Sequence, residues 1–122
     1  MVNFSYIFIA MILAFSALNA EDFISKSEYA KMLYANPRGI GCDKCHGQKG
    51  EGKVIASYKA YDKASSKMQN KKLIAPQINN LTYNAFYEAV RHSKGMMPSY
   101  FLTDNEIFTL YEYLQSLNKD EK

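Results

Sequence analysis

Two thiols and an imidazole stand in the order Cys42-Asp43-Lys44-Cys45-His46. This spacing suits the covalent capture of a haem. Each cysteine sulfur bonds one vinyl group of the porphyrin as a thioether, and the histidine that follows presents a ring nitrogen to the iron. The order is directional, with the histidine last. Other chemistries of a cysteine pair lack what they need. A thioredoxin-type redox pair needs an alternating strand and helix pattern, which the chain does not show. A zinc site needs further ligands, yet there is no third cysteine and His92 is the only other histidine. A disulfide of so short a span closes a small loop and stabilises little.

One histidine leaves the opposite side of a haem iron open, and what fills it decides the chemistry. The candidates are Met96, Met97, His92 and Met68. Gly95-Met96-Met97-Pro98-Ser99-Tyr100 lies between two predicted helices, where it can fold back over a bound group. A thioether is soft and neutral, and it favours the ferrous state. Neighbouring methionines point in different directions, so one of the pair is the ligand. Met97 is preferred, because the fixed dihedral of Pro98 holds the loop turned. Met96 is the runner-up. His92 reads as a helix-end residue, where positive charge suits the C-terminus.

Three helices are predicted to position these groups. Ser25 and Glu28 have the spacing of a capping box, with Tyr29, Met32 and Leu33 on one face behind them. Pro37 and Gly39 end this helix, and Gly41 opens the cysteine turn. Glycines 47, 50 and 52 mark a loop that lies close to the porphyrin edge. Residues 53–75 read as a lysine-rich loop with two turns of helix, because Tyr58, Tyr61, Ser65 and Met68 recur at helical spacing. Thr82 caps a second helix that runs to about His92, with Phe86, Tyr87 and Val90 buried. Thr103 and Glu106 form another capping box, opening a helix with Ile107, Leu110, Tyr111, Leu114 and Leu117 along one stripe. The expected fold class is all-α, with three to four helices around a covalently attached haem.

The chain has 122 residues, enough for one small domain. Its 15 basic and 12 acidic residues give a formal charge of +3, too mild for a nucleic-acid role. Lys44, Lys49, Lys59, Lys63, Lys67, Lys71 and Lys72 cluster around and after the motif, where they can steer an acidic redox partner. The apolar run Val2–Leu18, with Ala17 and Ala20 after it, reads as an export signal cut after Ala20. The expected organisation is therefore a signal peptide over 1–20, retained as a membrane anchor if uncleaved, and one domain over 21–122. About a hundred mature residues make a marginal core unless the macrocycle fills it.

CDKCHG, followed by MPSYFLTDNEIFTLYEYLQSL, resembles the small bacterial class I cytochromes c. The resemblance covers roughly Ser25 to Leu117 in order. It implies one haem c, bonded through Cys42 and Cys45, with His46 as proximal and Met97 as distal iron ligand. It also implies a crossing of first and last helices through Ala30, Leu33 or Tyr34 against Tyr111 or Tyr113, and a proline carbonyl on the proximal histidine, for which Pro76 is the candidate. The implied function is that of a periplasmic one-electron carrier, a monomer and not an enzyme. Its partners would be a membrane-bound donor complex and a terminal oxidase or peroxidase. The alternatives are a haem subunit fixed in a larger membrane complex, a haem peroxidase and a ligand sensor. A di-haem peroxidase would need a second C-x-x-C-H, which the chain lacks.

Overall fold

The computed structural model describes residues 23–119. The expected signal segment lies outside these residues. In chain order the elements are α1 (Lys26–Ala35), α2 (Cys42–His46), β1 (Lys53–Asp62), β2 (Lys67–Ala75), α3 (Tyr83–Arg91) and α4 (Asp104–Lys119). No helix among the described residues is long and apolar enough to cross a membrane.

Each long helix starts where its sequence says. The Ser25 hydroxyl accepts from the Glu28 backbone N–H, and the Glu28 carboxylate accepts from the Ser25 N–H, so two otherwise unpaired amides are satisfied. Thr82 caps α3 through its hydroxyl. Thr103 and Glu106 exchange the same reciprocal pair at the start of α4. The buried face of α1 is the one the resemblance implies for the helix crossing, and of the stripe read from helical spacing only Leu33 belongs to it. Ala30, Leu33 and Tyr34 are buried, whereas Tyr29 is 40% and Met32 59% exposed. The reason is the crossing with α4, which the small Ala30 side chain allows at close range. Tyr34 meets Tyr113 there, with ring centroids 6.0 Å apart. The core is completed by Phe86 and Val90 of α3, Leu102, and the Ile107, Leu110 and Leu114 stripe of α4.

The all-α expectation is corrected over residues 53–75. These residues form an antiparallel hairpin, so among the described residues four helices are joined by a two-stranded sheet. Tyr58 faces Lys71 and Tyr61 faces Met68 across the strands. Of the residues that recur at helical spacing, only Tyr61 and Met68 meet, while Tyr58 lies on the other face and Ser65 in the turn, so the recurrence has no structural counterpart. Strand preference wins because Val54, Ile55, Tyr58, Tyr61 and Ile74 are β-branched or aromatic. The turn is built by Asp62, whose carboxylate accepts from the Ala64 and Ser65 amides, the Ser65 hydroxyl and the Gln69 amide.

Candidate haem site

A short helix presents the motif. Gly41 caps α2, and an added Cβ there would run into Ala35 O and the Asp43 carboxylate, so only glycine fits between the two helices. His46 is buried, and its Nδ1 lies 2.8 Å from the carbonyl oxygen of Pro76. A carbonyl can only accept, so Nδ1 carries the proton and Nε2 keeps the lone pair a metal requires. The His46 carbonyl in turn accepts from the Gly52 N–H at 2.7 Å. The two legs of the hairpin thus both fasten onto His46. Gly52 has φ +79°, and a Cβ there would lie 2.8 Å from Ala75 O, so the legs touch backbone to backbone.

Above the motif lies a cavity of about 500 Å³. Cys42, Cys45 and His46 line it, and so do Met96 and Met97 from the loop between α3 and α4. Phe86, Val90, Leu102 and Leu110 bring the core to its wall, and Ile55, Leu73 and Ala75 bring the hairpin root. The volume and apolar lining suit a flat, largely apolar macrocycle. Burial pushes the Cys42 thiol up to about 11, so this wall favours an uncharged sulfur, as a thioether is. Among the described residues no three His, Cys, Asp or Glu side chains group as a metal site.

The four candidates for the second ligand separate clearly. Met97 is partly buried and packs against the core. Met96 is 76% exposed, although it borders the cavity. His92 caps the end of α3, also at the cavity rim, and lies 3.7 Å from Glu88. Met68 sits on β2, 60% exposed and away from the cavity lining.

Three supports were not legible from the motif. The Tyr34 hydroxyl donates to Gly47 O at 2.7 Å, tying α1 to the end of α2, and burial raises its pKa above the ordinary phenol value, which keeps it a donor. The Tyr100 hydroxyl donates to Ile40 O at 2.7 Å, so the methionine loop is sewn to the segment that precedes Cys42. Burial pushes this phenol up to about 12, which keeps it a donor. Asp43, inside the motif, is buried, with Oδ1 unpartnered and Oδ2 3.6 Å from Lys44 Nζ. Only the resemblance points to Tyr34, as a residue of the helix crossing, and its bond to Gly47 has no signal in the sequence. Nothing in the spacing distinguishes Asp43 from a solvated spacer.

The cytochrome c family model matches residues 27–118. The chain belongs to the cytochrome c family. It is a c-type cytochrome that binds haem covalently, an electron-transfer protein, and the Cys42–Cys45 spacing fits that attachment. No curated protein and no solved structure matches it significantly.

Proposed function

We propose that this cytochrome is a periplasmic monohaem carrier of single electrons, with His46 and Met97 as the axial iron ligands. One observation supports this above the rest. A single apolar cavity gathers both cysteines, a histidine whose free nitrogen is Nε2, and one partly buried methionine. A bound haem supplies the one-electron couple between ferrous and ferric iron. The chain does the rest. The Pro76 carbonyl fixes the imidazole ring and makes it a better donor. The Met97 sulfur stabilises the reduced state and raises the potential. Phe86, Val90, Leu102 and Leu110 keep water from the centre. With His46 and Met97 both holding the iron of a bound haem, the protein would leave no place on it for a substrate, which favours a carrier over a peroxidase.

Residues 1–20 are read as the export signal, cut after Ala20. The partners are a membrane-bound donor complex and a terminal oxidase or peroxidase, met in brief, small-interface encounters. Absorption spectra of the purified protein in both oxidation states, with a pyridine haemochrome assay, test the reading. The expected result is one haem per chain, resistant to acid-acetone extraction, with a sulfur-to-iron charge-transfer band when ferric and no ready carbon monoxide binding when ferrous. Colourless protein from a host competent in cytochrome maturation, or a haem that extracts, overturns it.

A further inference from the structure

We propose that the β1–β2 hairpin is a cationic docking arm that enters a carboxylate-lined cleft on the protein with which this cytochrome exchanges electrons. The inference rests on the carrier reading above. It starts from a division of charge. Residues 53–75 hold six lysines and one aspartate, a charge of +5, which leaves the rest of the chain at −2. The whole positive excess of the protein is on this one element. Among the described residues none of the six lysines forms an ion pair.

The element is also built to project. Ala75 is the only buried residue in either strand. Val54, Tyr58, Tyr61 and Met68 are 48 to 60% exposed, so apolar surface is held in water on an arm of about 30 Å at the usual strand rise. An isolated two-stranded hairpin is marginal in water, so leaving both faces bare has a cost that docking would offset. The root of the arm lines the cavity through Ile55, Leu73 and Ala75. A partner that grips the arm is thereby held next to the redox centre.

The distribution of lysines selects the kind of partner. Residues opposed across the strands share a face, and successive residues alternate. One face carries Lys67 and Lys71, the latter opposite Tyr58. The other carries Lys59 and Lys72, with Tyr61 opposite Met68. Lys63 sits in the turn. A flat anionic lipid surface meets one face at a time, whereas a cleft meets both. The turn, Lys63-Ala64-Ser65-Ser66, has no large apolar side chain to enter a bilayer.

The test uses the ¹⁵N-labelled ferrous holoprotein, titrated with poly-L-glutamate and, separately, with vesicles containing phosphatidylglycerol. The expected result is amide shifts on residues of both hairpin faces with poly-L-glutamate. The affinity should weaken at least about tenfold between low and physiological salt. The combined Lys59→Gln, Lys67→Gln, Lys71→Gln and Lys72→Gln protein should lose the shifts while keeping its absorption spectrum and potential. A second variant joins Ala56 to Leu73, which face each other across the strands, through Asn-Gly. It should lose the shifts too. Shifts that map elsewhere, variants that bind as well as the parent, or tighter binding to vesicles through one face overturn the docking arm and leave the carrier intact. A protein without covalent haem overturns the carrier reading and this one with it.

Discussion

Replacing Glu106 with glutamine removes one charge from the clamp that holds the methionine loop. The Glu106 carboxylate accepts two hydrogen bonds from the Arg38 guanidinium, each 2.8 Å, and one from the Tyr29 hydroxyl at 3.0 Å. Arg38 also donates to Phe101 O at 2.6 Å, so the clamp links the end of α1, the start of α4 and the segment just after Met97. These partners, Arg38 first, pull the Glu106 carboxyl from its ordinary 4.5 down to about 2. Taken whole, that shift is worth about 3 kcal/mol. Glu106 is 12% exposed but Arg38 is 55% exposed, so water screens the pair from one side and roughly half remains, about 1.5 kcal/mol. The folded-state value is depressed, so this stability is present above 4.5 and is lost as pH falls toward 2. Glutamine keeps an oxygen for the Thr103 amide and the same shape, which isolates the charge. Thermal melts of the ferric holoprotein, followed by circular dichroism, should show the variant melting about 10 °C lower at neutral pH. The gap should shrink by more than half by about pH 3. A gap that is the same at both pH values, or no gap at neutral pH, refutes the reasoning.

Three further outcomes follow from the site. Met97→Ala should lower the reduction potential and admit carbon monoxide to the ferrous protein, while Met96→Ala, whose side chain is 76% exposed, should change neither by voltammetry and spectroscopy. Gly52→Ala places a methyl group 2.8 Å from Ala75 O and Gln77 N at a positive φ, and should cost about 1–3 kcal/mol in denaturant titrations. The potential should also rise in that variant, as the shifted Pro76 carbonyl supports His46 less well. The apoprotein, with a cavity of about 500 Å³ in its core, should show no sharp cooperative transition by calorimetry.

The helices and the motif were legible because each is written locally. A capping box is a four-residue signal, and the stripe Ile107, Leu110 and Leu114 repeats with the helix period. The Cys42–His46 spacing is fixed by the chemistry it serves. What escaped the sequence depends on partners distant along the chain. By helical spacing alone Met32 looks like a core residue on α1, yet it is exposed, and only the resemblance points to Tyr34, whose ring meets Tyr113 on α4. Tyr100 and Ile40 are joined across sixty residues by one hydrogen bond. The hairpin escaped for a different reason. Its strands bury almost nothing, so the alternation of apolar and polar residues that marks a half-buried strand never develops.

That hairpin also explains how a proline thirty residues beyond His46 comes to hold its ring. The Gly52 N–H is bound to the His46 carbonyl, so β1 leaves from the histidine itself. Antiparallel pairing in register from Lys53↔Ala75 to Asp62↔Lys67 then returns β2 to its starting point, apart from one irregularity between Val54 and Ala56. Pro76 is therefore placed by Gly52, not by the number of residues between them. Lengthening or shortening the arm by opposed pairs leaves the root unchanged. The Pro76–His46 bond and the outer hairpin are thus separable by design of the fold: the pairs near Gly52 position the His46 ring, and the strands beyond Ala56 and Leu73 take no part in that contact.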